Sequence, residues 1–191
     1  MTLTNTLRIA GLSTLLFACA GIAAAQGQQN GVGSTSSNLA MSATVATSIQ
    51  LNLSTGTGGS AVTGSNTTGD FAIGFGSVNG LGLGAPATGV SVAADATGAT
   101  YSSPINMTPI FTGFANPATA SVTIDAGTDA DQAIAREGAT AATMSAVTTN
   151  HASLSGVSSG TDNERFVGFR ISRTEVGGAK AATFIYTITV D

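Results

Sequence analysis

The sequence predicts an all-β fold, an antiparallel immunoglobulin-like β-sandwich behind an N-terminal signal peptide. Three observations carry this expectation. Alternating apolar and polar residues recur near both ends of the chain, at Leu39–Leu53 and Ala182–Val190, and period-two alternation sends the two sets of side chains to opposite faces of an extended strand. The 25 glycines, with abundant Ser, Thr and Asn, favour turns and extended segments over long helices. Seven or more short strands separated by such turns, without interleaved helical patterns, suit two packed antiparallel sheets; a jelly roll or barrel is the alternative architecture.

The first 25 residues carry the pattern of an export signal. Arg8 and the amino terminus are positive, Ile9–Ile22 is apolar and small, and Ala23-Ala24-Ala25 fits the small-x-small cleavage rule. Cleavage near Ala25 leaves Gln26 as the mature start and directs the chain to the periplasm, cell surface or medium. The apolar run is too short and too rich in Gly and Ala to span a bilayer comfortably. Cys19, the one cysteine, lies inside this leader. Leu16-Phe17-Ala18-Cys19 resembles a bacterial lipobox, with Phe17 where a smaller residue is usual, so Cys19 is either lipidated or discarded. Residues 26–38 form a polar, Gly-rich arm, and 39–191 form the folded domain.

In the domain, Leu39, Met41, Ala43, Val45, Ile49, Leu51 and Leu53 share one parity, with Thr47 as the lapse, which predicts one long strand or two joined by a bend. Ser54–Asp70 reads as a low-complexity loop and Phe71–Phe75 as a strand, followed by a Gly-rich run to Gly84. That run has no helix after it to present amides to a phosphate. Val90 and Val92 mark a short strand. Tyr101–Phe111, broken by Pro104 and Pro109, reads as an edge or irregular strand, because proline cannot donate to a ladder. Asn116-Pro117 predicts a turn, and Ser121–Asp125 predicts a strand with Val122 and Ile124 inward. Asp129–Glu137 is the one helical suggestion, with Asp129 as its cap and Gly138 as its stop. Ala141–Val147 and Ser153–Val157 read as weak strands or connections. Phe166–Ile171 predicts a strand that returns through Gly177-Gly178 into Ala182–Val190 as a hairpin. In that last strand Ile185 interrupts the polar parity, which predicts a partly covered second face.

Composition narrows the chemistry. A net charge of −4 without any Lys/Arg cluster argues against nucleic acid and against an anionic membrane surface. The chain is expected to be non-enzymatic, without catalytic, cofactor-binding or metal-binding residues. His151, the one histidine, sits in a polar connection and reads as a solvated loop residue, since no G-x-S-x-G elbow accompanies it. Asp125, Asp129 and Asp131 make an oxygen-rich loop open to calcium, yet their spacing misses the EF-hand pattern and capping explains Asp129 equally well. Asp162 and Glu164 beside Arg165 read as a solvated turn rather than an acid/base pair. The sequons at Asn52, Asn66 and Asn106 matter only in a eukaryotic secretory host.

The N-terminal arm, the alternating first strand and the alternating terminal strand together resemble bacterial secreted β-sandwich subunits of the pilin and spore coat protein U kind. Phe184, Tyr186 and Ile188 match the alternation of a pilin terminal strand, and Gly178 matches its glycine fourteen places from the end; Val190 stands where those pilins carry an aromatic residue, and the cysteine pair is absent. The resemblance implies a structural or coat-like surface subunit that assembles with itself or related subunits by strand complementation. A donor segment within Leu39–Leu53 would then fill a groove beside a neighbour's terminal strand. The alternative is a monomeric exported binding module whose Gly/Ser/Thr loops meet a glycan or a surface protein.

Overall fold

The computed structural model describes residues 40–115 and 118–191. The predicted leader, arm and Asn116-Pro117 turn lie outside them. Contacts divide the chain after Ser42, and every assigned strand belongs to the second unit, Ala43–Asp191. That unit is all-β and antiparallel. Its strands are β1 (Ser48–Thr55), β2 (Val62–Ser65), β3 (Asp70–Ile73), β4 (Ser91–Ala94), β5 (Gly98–Thr112), β6 (Ala120–Ala126), β7 (Ala135–Gly138), β8 (Ser145–Ala146), β9 (His151–Val157), β10 (Asn163–Ser172) and β11 (Phe184–Val190). One sheet runs β1-β5-β10-β7-β8, with β4 also on β5; a second runs β11-β6-β9; β2 and β3 form a separate hairpin.

β5 is the central strand, which overturns its expected place at an edge. β10 pairs along one side of it, while β4 and β1 take successive halves of the other. The two prolines are tolerated because neither missing N–H faces a ladder. The Pro104 carbonyl accepts from Gly56, just past the end of β1, and the Pro109 carbonyl accepts from Gly160, just before β10 begins. In an antiparallel strand a residue's N–H and C=O point the same way, so each absent donor falls where its flanking strand has already stopped.

Both sheets feed one buried cluster: Tyr101, Ile105 and Met107 from β5, Val167 and Ile171 from β10, and Val122 and Ile124 from β6. Val122 and Ile124 are fully buried, as their parity predicts. Each such side chain contributes on the order of 1.5–3 kcal/mol by leaving water. Phe75 stacks edge-on against Phe169, with ring centroids 5.1 Å apart. Buried Tyr101 uses its hydroxyl to donate to the Asn79 carbonyl at 2.9 Å and accept from the Asn79 amide at 3.0 Å, which pins the Gly-rich 76–84 loop to the central strand.

Three further expectations are corrected. Asp129–Glu137 is not a helix: a single 3-10 turn at Gln132–Ile134 leads straight into β7, its N-cap is Asp131, and no side chain caps it. Two turns are too short a helix to hold on their own, good helix formers though most of these residues are, and they lose to the pairing that Ala135–Gly138 gains on β10. β10 and β11 do not form a hairpin, because β11 crosses to β6 in the other sheet. Ser54–Asp70 is not all loop, since Val62–Ser65 pairs with Asp70–Ile73. Of the two readings of Ser153–Val157, weak strand or connection, the structure shows the strand: it is β9, which begins two residues earlier at His151.

Close packing of β10 on β5 leaves no room at Gly168, where a Cβ would collide with the Tyr101 carbonyl. Gly168→Ala is expected to lower stability by about 1–3 kcal/mol through forced strand separation. Equilibrium urea unfolding checks this; an unchanged midpoint would show that the two strands can part freely.

Candidate functional site

Two places concentrate unusual features: an open cleft at one edge of the fold and a buried ionic cluster between the sheets. The cleft, about 1100 Å³, lies among β1, the β2–β3 hairpin, the Phe75–Val78 segment and β11. Alternation builds its walls. Leu51 and Leu53 project from β1, and Phe184 and Tyr186 project from β11; all four are only half-buried although they pack on the core. Phe184 and Tyr186 meet edge-on at 6.4 Å between centroids. Among the described residues, β1 pairs only with β5 and β11 only with β6, so the outer edge of each strand keeps its backbone donors and acceptors unpaired. On the far face of β11 Ile185 is 53% exposed, so the cover expected there is missing.

Ahead of β1, the segment from Ala43 to Thr47 belongs to no strand and is exposed throughout. Val45 is 79% exposed, and Met41 just before this segment is 86% exposed. The long strand expected across Leu39–Leu53 is therefore split: Ser48–Thr55 pairs, residues 40–47 do not, and Leu39 lies outside the described residues. The backbone at Ala46 and Thr47 lies directly over Gly113, whose φ is +82° and where a Cβ would sit 2.7 Å from the Ala46 carbonyl oxygen. Gly113 follows the last β5 residue paired with β1, so the chain leaves β1 along the strand's own line rather than doubling back into the cleft.

The ionic cluster centres on Glu137, whose side chain is fully buried. Arg165 from β10 grips both carboxylate oxygens, Nε to Oε1 at 2.6 Å and Nη2 to Oε2 at 3.0 Å. Ser153 Oγ donates to Oε1 at 2.9 Å, and His151 Nε2 lies 3.1 Å from Oε2. Glu137 and Arg165 stand on the first sheet and His151 and Ser153 on the second, so the carboxylate clasps the two together. A charge without water needs such a full set of partners. The serine hydroxyl bonds to the carboxylate rather than to the imidazole, so these residues do not form a nucleophile–base pair.

Tyr186, beside the cluster, has its phenol held well above the ordinary value near 10, chiefly by burial and then by the Glu137 charge, with Arg165 opposing. A raised folded-state value means stability is fully present below pH 10 and is lost as the pH climbs beyond it. Alkaline unfolding of the Tyr186→Phe protein is expected to lose less stability above pH 10 than the parent does; superimposable alkaline limbs would contradict the assignment.

His151 is thus a strand residue bonded to a buried carboxylate, not a solvated loop residue. Arg165 does not belong to a solvated turn with its neighbours either: Asp162 instead accepts from Thr108 Oγ1 at 2.6 Å and Glu164 from the Thr57 amide at 3.1 Å. Asp125, Asp129 and Asp131 are not brought together. Asp125 accepts from the Asn150 amide, and Asp131 takes Lys180 Nζ at 3.2 Å and the Ala181 amide at 3.1 Å. Those bonds, the Ala181 amide foremost, hold the Asp131 carboxyl below its usual range. Among the described residues no three His, Cys, Asp or Glu side chains converge as a metal site. Of the sequon asparagines, Asn66 donates to Asn52 at 3.1 Å and Asn106 to the Thr55 carbonyl at 3.4 Å. Gly178 takes φ +142° in the connection ahead of β11.

The chain matches no known protein family, no curated protein and no solved structure.

Proposed function

We propose that this chain is an exported, non-enzymatic structural or surface subunit, an incomplete immunoglobulin-like sandwich that is completed by a strand from another copy. The observation that carries the reading is the pairing of an open cleft, walled in part by Leu51, Leu53, Phe184 and Tyr186 and bounded by two unpaired strand edges, with an exposed alternating segment outside it. Leu39, Met41, Ala43 and Val45 of one copy enter the cleft of the next, and main-chain bonds to the free edges supply affinity while the alternate side chains fix register. The lengths agree: nine extended residues, Leu39–Thr47, reach about 30 Å, and seven-residue β11 spans about 23 Å. Export through the leader ending near Ala25, with Cys19 either discarded or lipidated, places such subunits outside the cytoplasm. A head-to-tail exchange of this kind does not close on itself and gives chains of subunits.

The exported chain is expected to sediment as a concentration-dependent series of oligomers in analytical ultracentrifugation. A single monomeric boundary at every concentration would favour a self-sufficient binding module, with the Gly/Ser/Thr loops as its contact surface.

A further inference from the structure

We infer that the outer face of the six-strand sheet holds a carboxylate-binding trough, in which Arg136 anchors the acid group of a small ligand such as a uronic sugar. This site is separate from the assembly cleft and does not depend on it. Alternation within β7 points Glu137 into the core and Arg136 outward. Arg136 thereby lines a trough of about 530 Å³ with Arg170, Thr100, Met144, Ala94 and Ala142, a size suited to one small molecule.

The charges there are unevenly matched. Asp95 also lines the trough, but Arg170 Nη2 holds both of its oxygens at 2.8 Å, and the Thr97 and Gly98 amides donate to it at 2.7 and 3.0 Å. That acid is fully engaged, and the arginine foremost keeps its carboxyl far below the usual range. Arg136, by contrast, reaches no carboxylate among the described residues. Its Nη1 donates to the Ala133 and Ala135 carbonyls, each at 2.8 Å, which fixes the guanidinium in place and leaves Nε and Nη2 as a free fork. Partial burial, and then the positive Arg170, make the charged form of Arg136 less favourable than in water, a cost that a bound anion removes.

Among the residues that line the trough two guanidiniums face one carboxylate, and Arg173 Nη2 stands close by, on the Asp95 carbonyl at 3.0 Å, so the trough carries surplus positive charge for an anion. A planar carboxylate fits a guanidinium fork in bidentate fashion. The alanine methyls and the Met144 thioether offer contact to a compact uncharged body.

The probes are galacturonate, its linear trimer and neutral galactose, added to the ¹⁵N-labelled mature chain. Saturable shifts of the Arg136 Nε–H and of the Ala142 and Met144 amides with galacturonate, absent with galactose, are expected. Binding is expected to weaken at least tenfold in Arg136→Gln. Ala142→Glu, which leaves every Arg136 bond intact, is expected to abolish it, so a fold defect in the first variant cannot mimic the result. A trimer that binds more tightly identifies a glycan strand as the ligand, and equal affinity identifies a free acid; either outcome supports the site. No saturable shift with either acid, or equal shifts with galactose, overturns it.

Discussion

Glu137→Leu is expected to destabilise the domain by about 3–5 kcal/mol, because it strands Arg165, whose side chain is only 12% exposed, without the carboxylate that neutralises it. For a domain of this size that corresponds to roughly 6–20 °C in Tm. The loss has two parts that a double-mutant cycle separates. Glu137→Leu combined with Arg165→Met removes both charges and leaves an apolar pair, so it is expected to recover most of the stability lost by the single change. Thermal denaturation of the four proteins gives the coupling directly. If the single and double changes cost the same, the clasp between the sheets contributes through packing alone and the ionic account is wrong. His151 and Ser153 give smaller effects, since each supplies one bond to a carboxylate that Arg165 already holds twice.

Removing everything ahead of Ser48 is expected to abolish assembly completely while leaving a folded monomer. Among the described residues the truncation deletes no strand, because β1 starts at Ser48 and keeps its full register on β5, from Ser48 opposite Thr112 to Thr55 opposite Ile105. A cut extending through Leu53 would instead strip Leu51 and Leu53 from the core edge and confuse lost assembly with lost folding. Met41→Asp together with Val45→Asp is expected to have the same effect in the full-length chain, since two charges would have to be buried against Leu51, Leu53, Phe184 and Tyr186. Sedimentation of both proteins, with circular dichroism to verify the fold, provides the check. Oligomers that persist in either would exclude the segment as the connecting strand.

The elements legible in the sequence are those whose alternation is one-sided. β6 and β11 follow from Val122/Ile124 and Phe184/Tyr186/Ile188, because a strand with one wet face writes its burial into its parity. β5 was legible as a strand but not as the centre of a sheet: it is buried on both faces, and the two prolines that argue for an edge are harmless only because of where β1 and β10 happen to stop. The ionic cluster was hidden for a different reason. Glu137 lies 28 residues from Arg165 and 14 from His151, and an acid between Arg136 and Gly138 resembles the end of a short helix. The available signal was the shared parity of Ala135 with Glu137 and of His151 with Ser153, which places an acid and its donors on inward faces once both segments are taken as strands. A groove beside the terminal strand was expected only through the resemblance to pilin-like subunits; its walls could not be read from the residues, since they depend on which edges remain unpaired.

The most direct test of an incomplete fold completed by a second copy is titration of the ¹⁵N-labelled chain beginning at Ser48 with a synthetic peptide spanning Leu39–Thr47. Saturable amide shifts confined to Leu51–Leu53 and Phe184–Ile188, with slowed hydrogen exchange along the outer edges of β1 and β11, are the expected result. A spectrum that does not change with added peptide, from a chain that remains folded, would contradict it.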